Sequence, residues 1–225
     1  MRGTPVSVRL DLQPSQTITG RLVFDGASAP PPDVTGRSIR LNPRGGGANL
    51  GNGLNANVNS DHTFTLNGVT PDSYRLIELQ QRPWEGTWRL KAAVAGGRDA
   101  FDAPLVVAPG ENLELVLTYT DRPSEITGTF QDASGRPAPD YFIVVFPADR
   151  KYWTSIRRLF STRPANDGVF SIKGLATGEY LIAALTDFRS EDMYAPSFLS
   201  ELSKMAAKVT ITEGQVTRQD LRIGK

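Results

Sequence analysis

The chain contains no cysteine and a single histidine, His62. Disulfide staples, thiolate metal sites and a cysteine nucleophile are therefore excluded, and a zinc centre would have almost no nitrogen ligands to draw on. A Ser-His-Asp triad would have to use His62, and no GxSxG elbow is present to expose its serine. Long apolar runs are also missing: none approaches the length of a membrane-crossing helix, so no direct membrane insertion is expected. The start, MRGTPVSVRL, lacks the apolar centre of a signal peptide. Nor is there an excess of one charge, because 25 Lys and Arg oppose 24 Asp and Glu for a net charge of +1. That balance argues against a nucleic-acid partner.

What is present is a repeat. With 225 residues, 39% of them apolar, the chain can bury two ordinary cores, and three pairs of segments recur in the same order at offsets of about 105 residues. PSQTITGRLVFDG, from Pro14, matches PSEITGTFQDASG, from Pro123. SDHTFTLNGVTPDSYRL, from Ser60, matches NDGVFSIKGLATGEYLI, from Asn166, and VVAPGENLELVLT, from Val106, matches VTITEGQVTRQDLRI, from Val209. Apolar and polar residues alternate in Phe64-Thr65-Leu66 and Phe170-Ser171-Ile172, as a strand with one buried face requires. Gly68 and Gly174 end those strands, and Tyr74 and Tyr180 open the return strands of two hairpins.

These repeats predict an all-β chain of two tandem domains, 14–122 and 123–225, joined by a short linker from Tyr119 to Ser124 in which Pro123 favours a fixed angle. VSVRLDLQPS, near the N-terminus, is similar to LVLTYTDRPS, which ends the first repeat and opens the second. Val6 to Leu12, in 1–13, therefore reads either as the last strand of a preceding domain in a longer chain or as a strand pairing into the first sheet. One helix is predicted near Pro196–Ala207, inserted in the second domain: Pro196 suits the first helical position, and Phe198, Leu199, Leu202, Met205 and Ala206 fall on one face. Asn42 to Ser60, with Gly45-Gly46-Gly47, predicts a mobile loop, and Ala29 to Thr35, with Pro30-Pro31-Pro32, a stiff connection that cannot donate ladder hydrogen bonds.

The second repeat carries ITGxxxDxxGxPxP in Ile126, Thr127, Gly128, Asp132, Gly135, Pro137 and Pro139, then NDGxFxIxGLxxGxY in Asp167, Gly168, Phe170, Gly174, Leu175, Gly178 and Tyr180. This pattern resembles the carboxypeptidase regulatory-like domain, a transthyretin-like or prealbumin-like (Ig-like) β-sandwich also grouped with starch-binding-like domains. The first repeat departs from it, with Ser28-Ala29-Pro30 at the tight turn and His62 where the second has Gly168. The resemblance implies two tandem sandwiches and a noncatalytic structural or interaction module of a longer bacterial protein. It further implies an extracytoplasmic place: periplasmic, secreted or cell-surface. The alternative is a carbohydrate-binding module. Related adhesive sandwiches of the CnaB type close an internal Lys-to-Asn/Asp isopeptide bond, but the opening strands Arg21-Leu22-Val23-Phe24 and Thr129-Phe130-Gln131 hold no lysine. None is expected.

Candidate chemistry is sparse. A sugar would be held by stacking on exposed aromatics; Trp84, Tyr152 and Trp153 are the candidates, while Trp88 alternates in register with Leu90 and reads as core. Asn59, Asp61, Asn166, Asp167, Asp187 and Asp192 supply oxygens on loops, but without a D-x-D-x-D-G loop they read as turn formers rather than calcium ligands. The triple glycine lacks the following Lys-Ser/Thr of a phosphate cradle. Arg150, Lys151, Arg157, Arg158 and Arg163 form a locally basic stretch, read as a solvated hairpin face. No spacing of acids suggests a catalytic pair. No enzyme activity, catalytic residue, metal or cofactor is expected, and the expected state is a monomer with an unidentified protein or glycan partner.

Overall fold

The computed structural model describes residues 15–44, 54–80 and 88–223, without the side chains of 78–80. The segment from Val6 to Leu12, Gly45 to Gly47 and Trp84 lie outside the described residues. The chain is all-β. Its strands are β1 (Gln16–Phe24), β2 (Arg37–Pro43), β3 (Leu54–Asn57), β4 (Thr63–Val69), β5 (Asp72–Gln80), β6 (Arg89–Ala95), β7 (Arg98–Asp99), β8 (Leu105–Val107) and β9 (Leu113–Thr120). There follow β10 (Ser124–Gln131), β11 (Phe142–Pro147), β12 (Phe160–Thr162), β13 (Val169–Leu175), β14 (Gly178–Leu185), the helix α1 (Pro196–Leu202), β15 (Ala207–Ile211), β16 (Val216–Arg218) and β17 (Leu221–Arg222). Two compact units emerge, one of Met1–Arg21, Asp33–Arg82 and Val94–Val116, the other of Leu22–Pro32, Pro83–Ala93 and Leu117–Lys225. The segment expected as a linker, Tyr119 to Ser124, lies inside the second unit and is reduced to three residues between β9 and β10.

The first unit contains the four-stranded sheet β3-β2-β5-β8 and strands of the five-stranded sheet β4-β1-β9-β6-β7, whose β1, β6 and β9 continue into residues of the second unit. Alternate residues turn inward: Ile18, Ile39, Leu41, Phe64, Leu66, Tyr74, Leu105, Val107 and Leu115 are buried. The span read as a loop contains β3, paired antiparallel with β2 from Ser38↔Asn57 to Leu41↔Leu54. Its inward residue is only Ala56, and with Asn55 and Asn57 beside it the strand carries almost no apolar alternation. His62 occupies a turn at φ 68°, the left-handed region that Gly168 occupies at φ 81° in the second repeat.

The second unit holds the sheet β13-β10-β16, with β17 also on β10, and the sheet β12-β11-β14-β15. Between their faces lie Ile126, Phe130, Ile143, Val145, Phe170, Ile172, Tyr180, Ile182, Val209 and Ile211. The apolar run Phe142–Phe146 has a second reason to be continuous: Val144, Phe146 and Ala183, on the opposite face of the same sheet, are covered by Trp153, Leu159, Phe188, Met193, Leu199 and Leu202. Strands buried on both faces need apolar residues at every position. The helix thus packs inward, but it ends at Leu202 rather than near Ala207, and Met205, expected on its apolar face, is 73% exposed in the turn that follows. Beyond the last helical residue the 3.6-residue period no longer sets direction.

The repeat has a physical basis in the register. Gly20 lies opposite Phe64 across β1 and β4, and Gly128 lies opposite Phe170 across β10 and β13. A Cβ on Gly20 would overlap the Phe64 ring, and one on Gly128 would come 3.0 Å from the Phe170 ring and collide with the Gln219 carbonyl. The glycine of each ITG therefore makes the space that the aromatic of each Phe-x-Leu or Phe-x-Ile fills. Strand β10 pairs antiparallel with β13 but parallel with β16, over Glu125↔Val216 to Thr127↔Arg218, and with β17, at Phe130↔Leu221 and Gln131↔Arg222. In the gap, Gln219 donates its N–H to the Thr127 carbonyl at 2.8 Å, and the Asp220 carboxylate accepts the Thr129 N–H at 2.8 Å.

Candidate functional site

Of the aromatic candidates, the two within the described residues, Tyr152 and Trp153, are packed against other side chains. Trp153 is 5% exposed, correcting the expectation that it reaches solvent: its indole N–H donates to the Pro147 carbonyl at 2.8 Å and its ring meets Phe146 at a centroid distance of 6.1 Å. A ring so enclosed has no face to stack on a ligand. Tyr152 is half-buried, with the Lys151 ammonium 4.8 Å and the Arg158 guanidinium 4.4 Å from its centroid. Two cations thus lie against the ring where a sugar would have to stack.

The basic stretch is also dispersed. Lys151 pairs with Asp149 at 2.8 Å, Arg150 lies over Trp153 at 5.1 Å, and Arg163 covers Phe142 at 4.1 Å. The loop acids act as turn formers: Asp61 accepts the Thr63 N–H and hydroxyl at 3.0 and 2.6 Å, Asp167 the Val169 N–H at 3.0 Å, and Asp192 the Arg189 N–H at 3.1 Å. Among the described residues no group of three or more acids or histidines is placed to hold a metal ion.

What the second unit does assemble is a charged network at Asp121-Arg122-Pro123. Lys91, on β6, bridges Asp25 at 2.8 Å and Glu213 at 2.7 Å, and Arg122 pairs with Asp25 at 2.9 Å. The Thr120 hydroxyl donates to Glu213 at 3.1 Å. Burial works against the Lys91 charge, but the hydrogen bonds from its ammonium to Asp25 and Glu213 outweigh it and hold its pKa above the ordinary lysine range. The same ammonium holds the Asp25 carboxyl below the usual carboxylate range. Asp121 accepts the Ser28 N–H at 2.6 Å and the Ala27 N–H at 3.1 Å, and the Ser28 side chain, most of all, together with these N–H groups holds its carboxyl low as well. Beneath, Phe24 meets Trp88 edge-on at 5.1 Å and stacks on Tyr119 at 5.5 Å, and the Trp88 indole donates to the Ala29 carbonyl at 3.3 Å. Trp88 is buried, as its register with Leu90 predicts.

Beside the network is a cleft of about 210 Å³. Arg89, Lys91, Arg122, Arg157 and Arg158 line it, against one lining carboxylate among the described residues, that of Glu213, and the turn Gly174–Thr177 forms part of its wall. Arg89 and Lys91 are two apart on β6 and so share a face. Gly174, at φ 79°, leaves the space into which the Arg89 guanidinium fits; a Cβ there would overlap it. Arg158 donates to the Thr177 carbonyl and the Tyr180 hydroxyl, both at 3.3 Å. Of these cations the sequence pointed only to Arg157 and Arg158. The Arg-x-Lys alternation of Arg89 and Lys91 was a signal, but it names no partner until β6 is placed beside Glu213.

No family model and no curated protein matches the chain. The resemblance to the carboxypeptidase regulatory-like domain therefore stands on the repeat motifs alone. Among solved structures the chain is similar to the minor pilin of Streptococcus agalactiae, at 10% identity over 92% of this chain and 94% of that one, with a TM-score of 0.41. It is similar to a shaft pilin variant from Lactobacillus rhamnosus at 11% identity, over 94% of this chain and 98% of that one, with a TM-score of 0.34. With the TIE protein of Bacillus anthracis it shares 13% identity over 93% of its length at a TM-score of 0.31, spanning 34% of that protein. Likeness of this degree assigns no function.

Proposed function

We propose that the chain is a noncatalytic structural module of a longer exported or cell-surface protein, in which tandem sandwiches 14–122 and 123–225 serve as a stiff spacer. The observation that carries this reading is the bracing of all three residues between β9 and β10. Asp121 caps two backbone N–H groups, Arg122 is ion-paired to Asp25, and Pro123 has a fixed φ and no N–H to release. A connection meant to flex would carry unpaired, small or polar residues. The carboxypeptidase regulatory-like motifs of the second repeat support the same reading, and so does the absence of any sequence motif for nucleophilic or metal chemistry.

The test is a set of backbone residual dipolar couplings on the whole chain. One alignment tensor is expected to fit both repeats, with ordered relaxation at Asp121, Arg122 and their neighbours. Two independent tensors would overturn the spacer, and turnover in a broad hydrolase screen would overturn the noncatalytic reading.

A further inference from the structure

We propose that the cleft bounded by Arg89, Arg157, Arg158 and the Gly174–Thr177 turn binds a small tetrahedral oxyanion, a phosphate or sulfate group. The chain as a whole is almost neutral, with 25 basic and 24 acidic residues, yet five basic residues line this one cleft, and among the described residues Glu213 is the one lining carboxylate. Lys91 and Arg122 are committed to Asp25 and Glu213. Arg89 has no carboxylate partner among the described residues, and its guanidinium is seated over Gly174 in space that any side chain at that position would fill. Arg158 is held in one orientation by the Thr177 carbonyl, the Tyr180 hydroxyl and the face of Tyr152.

Planar guanidiniums fixed before binding lose little entropy when they engage an oxyanion, and their paired N–H groups match its geometry. Bringing like charges together costs free energy that a bound dianion offsets. A cleft of about 210 Å³ has room for a tetrahedral anion with part of its hydration but not for a nucleic-acid duplex. This inference is independent of the spacer reading, and its failure leaves that reading in place.

The probe is inorganic phosphate, with sulfate as its isostere, titrated into the whole chain at constant ionic strength and followed by amide chemical shifts. Saturable shifts confined to 89–91, 157–158 and 174–177 are expected, with acetate and chloride giving none. Arg89→Gln, at an exposed strand position, is expected to keep the thermal melt and weaken phosphate binding at least tenfold. Arg158→Gln should weaken it too, while Arg163→Gln, outside the cleft, leaves it unchanged. Equal responses to acetate, shifts that never saturate, or undiminished affinity in a folded Arg89→Gln variant would overturn the proposal. Distinguishing a free anion from an ester takes a second arm with glucose 6-phosphate: tighter binding than inorganic phosphate assigns the site to an ester, and equal binding to the anion alone.

Discussion

Asp132 opens the tight turn that precedes Pro137, and four donors converge on its carboxylate: the Ser134 hydroxyl at 2.6 Å, the Ser134 N–H at 2.8 Å, the Arg136 backbone N–H at 2.9 Å and the Arg136 guanidinium Nε at 3.3 Å. The hydroxyl contributes most, and together they lower its pKa to about 2. Because the folded value lies below the unfolded one, the carboxylate's contribution to stability is complete above pH ~4 and is lost as pH falls towards 2. A carboxyl-carbon NMR titration should find the midpoint near 2, and Asp132→Asn should flatten the dependence of urea stability on pH in that window. A midpoint at the ordinary aspartate value would sink this account of the turn. The turn was legible in the sequence because its residues are local. Gly135, at φ 85°, and Asp132 are three apart, and the donors to the Asp132 carboxylate come from Ser134 and Arg136.

At the scale of elements, the helix α1 and the short turns before it give the β12-β11-β14-β15 sheet a second covered face. Leu199 has no exposed surface and is packed with Val144, Phe146 and Trp153. Leu199→Ala is expected to cost about 2–5 kcal/mol, the range for truncating a buried leucine, read as a shift of the urea midpoint at unchanged slope. A cost below about 0.5 kcal/mol, the level of a surface change, would show that the helix is not part of the fold's stability. The existence of the helix was legible from Pro196 and the spacing of Leu199 and Leu202. Its end was not, because Met205 and Ala206 continue the period by coincidence after the chain has turned at Ser203. Trp153 was misread for a related reason. Flanked by Lys151, Tyr152 and the Arg157-Arg158 pair it reads as surface, and only the folding of this stretch over the sheet buries it. The strand β3 escaped notice because Leu54-Asn55-Ala56-Asn57 has little to alternate.

For the whole molecule, the repeat carried most of the architecture, since Gly20 with Phe64 and Gly128 with Phe170 are the same cross-strand pair written twice. The charged network was invisible at that level because its members, Asp25, Lys91, Arg122 and Glu213, come from four distant stretches that the repeat motifs do not pair with one another. Replacing Lys91 with Met removes the ammonium that keeps two carboxylates together. The group is partly exposed, so a loss of about 1 kcal/mol is expected, smaller in 1 M salt than at low ionic strength. Identical thermal midpoints for wild type and variant at low salt would show that the network is ornamental.

The parallel pairing of β10 with β16 and β17 has a mechanical consequence. Two strands that run the same way place the entry of the sandwich, at Ser124, and its exit, beyond Leu221, at opposite ends of one hydrogen-bonded ladder. Tension applied along the chain therefore loads those bonds in shear, all together, instead of unzipping them one at a time. The Thr129 contacts to Asp220 and the Gln219 N–H to the Thr127 carbonyl add to the same shear plane. A sandwich threaded in this way separates its entry from its exit by about one strand, about 26 Å at 3.3 Å per residue.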